Sequence, residues 1–172
     1  SNEKKVNHLL ELGKSSVNGN VKLFEGDLFK KGSYDKAFIN CSAVIHAGAT
    51  VGFNRETPQE VYDGCFTENE HVVESVIKSD SIKRLVFTSS FAAVAHPRPE
   101  GYVFDEKDWC GDNVEAYKGA WSTDNISKNR DIAYAMAKAN TEKYIYEIAE
   151  KDGNFEAISI NPLHVIGPLL TE

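Results

Sequence analysis

Cysteine is scarce in this chain: Cys41, Cys65 and Cys110 are its three thiols in 172 residues. Their number is odd and their spacing wide, and no CxxC or Cys/His ligand spacing occurs. That leaves no metal site to propose, and reduced thiols suit a cytoplasmic protein. No apolar run is long enough to span a bilayer, and the polar opening Ser1-Asn2-Glu3-Lys4-Lys5 is no signal peptide, so no membrane partner is expected. That opening also suits a start in the middle of a longer natural protein. Basic clusters are missing beyond pairs such as Lys4-Lys5 and Lys30-Lys31, and the net charge is −7. A phosphate backbone is therefore not an expected partner. No carboxylate pair has a spacing that calls for glycosidase chemistry. No glycine-rich run of the GxGxxG or GxxGxxG type occurs anywhere.

What is present is the composition of one globular domain, 41% hydrophobic and 26% charged, long enough for a proper core. Val6–Leu12 has a helical apolar pattern closed by Gly13 as a C-cap. Val21–Asp27 alternates like a strand. Ser33–Asn40 is a short helix candidate, and Ala43–Ala49 is a buried strand ending in small residues. Val51–Thr57 reads as loop, Glu60–Ser79 as helix, and Arg84–Ser90 as a strand ending in hydroxyls. A long irregular segment over about His96–Ser127 reads as functional or a lid. A helix over Asp131–Lys151 and a strand over Glu156–Pro162 follow. Strand–helix units repeated about four times predict an α/β fold with a parallel sheet.

The helix Asp131–Lys151 is rich in Ala, Met, Lys and Glu, with no Pro or Gly before Gly153. Of the seven tyrosines, only Tyr134 is followed four residues later by Lys, at Lys138. On a helix the two stand one turn apart on one face. A positive charge beside a phenol favours the phenolate, so such a pair can exchange a proton with a carbonyl or alcohol oxygen. The plain alternative is a packed Tyr and a solvated Lys.

In parallel sheets ligands lie beyond the carboxyl ends of the strands. Asp27, Ala47-Gly48-Ala49, Ser89-Ser90 and Asn161-Pro162 all fall at such ends and would line one rim. Asp27 suits either an adenine amino group or a loop amide. Gly48 admits a cofactor or tight packing. Ser90 can hold a substrate oxygen or cap a turn, and Ser89 or Thr88 can serve instead. His46 reads as a core histidine and His164 as a packing residue. Asn69 either braces the active-site backbone or is solvated on its helix. Asp105, Glu106, Asp108, Asp112 and Glu115 read as a solvated loop face.

Taken in order, Gly26-Asp27-Leu28, Val44–Ala49, Leu85–Ser90, Tyr134-x-x-x-Lys138 with Glu142, and Asn161-Pro-x-x-Val-x-Gly-Pro168 form a recognisable set. The chain resembles the extended short-chain dehydrogenase/reductases, within them the dihydroflavonol reductase and cinnamoyl-CoA reductase branch. Lys4–Leu12 resembles the segment after the second strand there. The resemblance implies an NADP(H)-dependent carbonyl reductase, with NAD as the other choice of cofactor and a small-molecule carbonyl as substrate. By it, Tyr134 is the general acid/base, Lys138 lowers its pKa and binds the nicotinamide ribose, and Ser90 holds the substrate oxygen. Asp27 and Leu28 would meet the adenine, and Ala47, Gly48 and Ala49 the cofactor's middle. Pro162 and Val165 would meet its nicotinamide end. Other readings are a nucleotide-sugar epimerase or dehydratase, a sterol-type dehydrogenase of the same superfamily, or a dinucleotide-sensing or scaffold protein without turnover.

The resemblance covers nearly the whole chain, residues 1–172, as a single partial NAD(P)-binding Rossmann-like domain. It implies that the first two strands, their glycine-rich phosphate turn and the C-terminal substrate domain are absent. The phosphate turn is a major anchor for dinucleotides, so the 172 residues alone are expected to bind cofactor poorly and to be nearly inactive. Val21–Gly26 and Ala43–His46 would lose their usual neighbours, and an open sheet edge invites either closure of the gap or self-association.

Overall fold

The computed structural model describes residues 3–15, 20–49, 57–95, 97–111 and 123–167. They fall into two compact units, one of residues 1–25 with 164–172 and one of residues 26–163. In the first unit, helix α1 spans Glu3–Ser15. Gly13 lies inside α1 and does not cap it. A side chain there would come within 2.9 Å of Val21 Cβ, so glycine lets the returning chain pass close to the helix. The strand expected over Val21–Asp27 does not form: residues 20–27 are exposed and carry no ladder. Alternation describes a half-buried surface, but a strand also needs a neighbour for its N–H and C=O groups.

The second unit is built on a three-stranded parallel sheet in the order β1 (Ala43–His46), β2 (Arg84–Thr88), β3 (Glu156–Ile160). The register places Val44 beside Leu85 and Phe87 beside both His46 and Ser159. Helix α2 is one turn, Asp35–Phe38. Helix α3 spans Pro58–Ile77 and starts on a capping box. Thr57 Oγ1 accepts from Glu60 N at 3.2 Å, and Glu60 Oε2 accepts from Thr57 N at 2.9 Å. Helix α4 spans Arg130–Asp152. Asn129 Oδ1 accepts from Asp131 N at 2.7 Å at its start, and Gly153 ends it with φ of 70°, a left-handed conformation that favours glycine. The loop expected over Val51–Thr57 lies largely outside the described residues.

One face of the sheet packs on α3 and α4. Val44, Leu85 and Phe87 join Val72, Val73, Val76 and Ile145 in one core cluster. A second cluster gathers Val61, Ala93, Cys110, Ile126 and Ala133 under the strand ends. Ala133, Ala137 and Ala139 are fully buried on α4, and their small side chains let it pack close to its neighbours. On the opposite face Ile45 is 79% exposed, and Ile158 and Ile160 are exposed too. Among the described residues β2 is the strand paired with β1.

Part of the long segment before α4 is folded around Asp108. Its carboxylate is buried and accepts from Tyr102 Oη at 2.6 Å, from Arg98 Nη2 at 2.9 Å and from Asp105 N at 2.9 Å. Cys110 N donates to Ala93 O at 2.7 Å, tying this loop to the turn after β2. Asp108 is thus not part of a solvated acidic face: Arg98 and Tyr102 fold onto it and replace water.

Candidate active site

Helix α4 carries polar side chains at every fourth position: Tyr134, Lys138, Glu142 and Tyr146. Neighbouring members share a face, and three of the four bond in succession to the ends of β2 and β3. Lys138 is 3% exposed, and its ammonium donates to Thr88 O at 3.3 Å. The same nitrogen lies 5.8 Å from the centroid of the Tyr134 ring. The ring itself is half-buried and packs on the second core cluster. Burying an ammonium with so little hydrogen bonding is costly. Its charge is felt by two neighbours. Burial, reinforced by Lys138, lowers the pKa of His46 from 6.5 to about 4, so this histidine is neutral at pH 7. Burial raises Cys65 to about 11 against the opposing pull of Lys138, which leaves Cys65 an inert thiol.

At the end of β2, Ser90 is half-buried, and its Oγ accepts from Ala92 N at 3.1 Å, capping a 3-10 turn over Phe91–Ala93. The capping reading of Ser90 is thus what the structure shows; in this arrangement the oxygen accepts and the hydroxyl proton is not used by the cap. Ser89 is buried, and its Oγ has no hydrogen-bond partner among the described residues. The ends of β2 and β3 remain zipped beyond the sheet. Ser89 N donates to Ile160 O and Phe91 N to Pro162 O, each at 2.9 Å.

The residues expected along the rim make the following contacts within the chain. Asp27 is exposed and closes an Asx turn, its Oδ1 accepting from Phe29 N at 2.9 Å. This is the loop-amide role. Leu28 packs on the core, and its carbonyl is 2.9 Å from His71 Nδ1. Ala47, Gly48 and Ala49 follow β1 directly. A side chain at Gly48 would meet Leu28 Cδ1 at 3.1 Å, so the glycine leaves room for Leu28. Pro162 contributes the carbonyl that receives Phe91 N. Val165 belongs to the first unit, where it is 87% exposed, and His164 is exposed there as well. Asn69 is buried, not solvated. Its amide donates to Cys65 O at 2.7 Å and so braces α3, while also bearing on His46.

Two members of the network are absent from the sequence reading. Tyr146 Oη accepts from Ser159 N at 3.1 Å and lies 2.8 Å from Ser159 Oγ. Ser159 Oγ donates to Glu142 Oε1 at 2.7 Å, and Asn161 Nδ2 reaches Glu142 Oε2 at 3.1 Å. With the Ser159 proton given to Glu142, the Tyr146 proton points to Ser159. The fourfold spacing continuing to Tyr146 is the sequence signal for this row. Beside it a cleft of about 620 Å³ opens between Phe91, Phe104, Trp109 and Asn161.

The fit to a nicotinamide dinucleotide rests on Lys138. One of its three N–H groups reaches a described acceptor, Thr88 O, and a ribose diol or a substrate oxygen suits the others. Among the described residues no group of His, Cys, Asp and Glu side chains is arranged to hold a metal ion, and no helix is long and apolar enough to cross a membrane.

Comparison with known proteins places these features. The model of the 3-beta hydroxysteroid dehydrogenase/isomerase family matches residues 5–172. A dihydroflavonol 4-reductase of Gerbera hybrida is 33% identical over 171 residues, covering 98% of this chain and 43% of the relative. Cinnamoyl-CoA reductase CAD2 of Medicago truncatula is 32% identical over 172 residues, covering 97% of this chain and 48% of the relative. The chain thus spans less than half the length of these curated relatives. The yeast methylglyoxal/isovaleraldehyde reductase Gre2, solved with NADPH, superposes with a TM-score of 0.74 at 23% identity. The match covers 99% of this chain and 50% of that one.

Proposed function

Since the chain belongs to the 3-beta hydroxysteroid dehydrogenase/isomerase family of extended short-chain dehydrogenase/reductases, we propose that it carries the proton-transfer part of an NADP(H)-dependent carbonyl reductase. The 172 residues are then part of one NAD(P)-binding domain. Turnover requires a glycine-rich phosphate turn, which they do not contain. The observation that carries this reading is the buried Lys138 ammonium, held at the end of β2 and 5.8 Å from the Tyr134 ring centroid. Reductases of flavonoid ketones and of acyl-CoA thioesters among the relatives support a small-molecule carbonyl substrate. Gre2 with NADPH supports the choice of cofactor.

In this reading, the cofactor supplies the hydride. Ser90 donates its hydroxyl proton to the substrate oxygen and orients it. Tyr134 gives that oxygen its proton as charge develops, or removes it in the reverse direction. Lys138 keeps positive charge beside the phenol and binds the ribose. Asp27, Leu28, Ala47, Gly48, Ala49, Pro162 and Val165 line the path of the dinucleotide. A cytoplasmic setting agrees with the three free thiols. The edge of β1, which pairs with no second strand among the described residues, and the exposed Ile45 favour self-association of the isolated chain, visible as a concentration-dependent mass in light scattering.

The test is Tyr134→Phe in a polypeptide of this protein that includes a phosphate turn. Turnover of a carbonyl substrate with NADPH is expected to fall by about 10²–10⁴-fold, with NADPH affinity retained. Unchanged turnover removes Tyr134 from the reaction and favours a sensor or scaffold. The family's name favours a second substrate class, a ring hydroxyl oxidised by the same residues run backwards. A panel of sterol alcohols against flavonoid ketones separates the two.

A further inference from the structure

Ser90 and Tyr134 sit on different elements, so their alignment depends on what joins the end of β2 to helix α4. Ser90 O accepts twice, from Ala93 N at 2.9 Å and from Asn161 Nδ2 at 3.2 Å. The Ala93 bond is local. The Asn161 amide also donates to Glu142 Oε2 at 3.1 Å, and Glu142 lies one turn beyond Lys138 on α4. The carboxylate is 5% exposed and has no Arg or Lys among its described partners. Its second oxygen is taken by Ser159 Oγ at 2.7 Å.

We infer that Glu142 and Asn161 are positioning residues: one buried carboxylate–amide latch that holds the Ser90 backbone in register with Tyr134 and Lys138. The inference rests on the reading of those three residues as the reacting set. It follows from bond direction. Glu142 accepts on both oxygens, from Ser159 Oγ and from Asn161 Nδ2, so the Asn161 amide presents its NH₂ group to Glu142 and to Ser90 O together. If Glu142 is removed, nothing dictates the orientation of that amide, and Ser90 keeps its ties to β3 but loses its tie to α4. A reacting group displaced by about 1 Å can cost two orders of magnitude in rate.

The experiment measures kcat, the KM for carbonyl substrate, NADPH affinity and thermal midpoint in a polypeptide of this protein that includes a phosphate turn. Glu142→Ala and Asn161→Ala are each expected to lower kcat by about 10–100-fold, with NADPH affinity within threefold. The double variant should be no worse than either single one, because both break the same latch. Glu142→Gln retains an oxygen for the Asn161 amide and should recover most of the lost kcat. If Glu142→Ala does not fold, Asn161→Ala and Glu142→Gln still decide the matter, since the first is at a half-buried strand end and the second preserves shape. A kcat for Asn161→Ala within twofold of the unmodified protein, with Tyr134→Phe inactive, overturns the latch alone. Equal losses in Glu142→Gln and Glu142→Ala also overturn it, because the amide would then have no part. Retained turnover in Tyr134→Phe overturns the underlying reading.

Discussion

The two ends of the central sheet treat polar residues in opposite ways. At the amino ends of the strands, Arg84 and Glu156 form an ion pair at 2.7 Å with side chains 54% and 69% exposed. Ser42 and Lys83 beside it are exposed as well. At the carboxyl ends, Lys138, Glu142, Ser89 and His46 are all buried. Water solvates the first set at no cost to the fold. The second set forgoes that solvation and recovers only part of it, since His46 Nε2, Ser89 Oγ and Thr141 Oγ1 lack a described partner. A fold shaped for stability alone would bury apolar groups there. The asymmetry supports the proposed ligand-binding rim.

The contrast can be broken by substitution. The largest effect is expected for Lys138→Met in a polypeptide with a phosphate turn. Turnover should drop by at least about 100-fold, while the thermal midpoint holds or rises, because a poorly paired buried charge is removed. A large fall in midpoint with turnover retained would make Lys138 a structural residue.

A second effect comes from His46. Its folded-state pKa of about 4 lies below the ordinary 6.5, so between those values the unfolded chain binds more protons than the folded one. This contribution to stability is complete above pH 6.5 and is lost as the pH falls toward 4. Urea unfolding at pH 5 should show roughly 2 kcal/mol less stability from this group than at pH 7.5. His46→Gln should flatten that dependence, and an unchanged slope would refute the assignment to His46. The smallest effect belongs to the other end: Arg84→Ala should cost less than about 0.5 kcal/mol. A larger loss would mean that the exposed pair is more than a surface contact.

Much of this architecture was legible in the chain. The α3 and α4 helices carry their own stops and starts, the Thr57/Glu60 box and the Asn129 and Gly153 caps, and these act over a few residues. Leu85 and Phe87 of β2 are buried, and the apolar composition of the run declares it. Val21–Asp27 shows the limit of such reading: its alternation is real, yet it pairs with no strand among the described residues. Gly13 shows another, because a glycine near a helix end serves equally as a cap or as room for Val21. Asp108 looked like one of many loop carboxylates until Arg98 and Tyr102, ten and six residues away, closed over it.

The sequence by itself determined where α3, α4 and the strands β1 to β3 lie and which phenol has a lysine one turn away, because those properties depend mainly on neighbours within a turn or two. Only the tertiary structure decided that Gly48 makes room for Leu28 and that Glu142 meets Asn161, nineteen residues on. Hydrogen bonds between distant residues depend on where the sheet ends and the helix returns, and no local pattern encodes that distance.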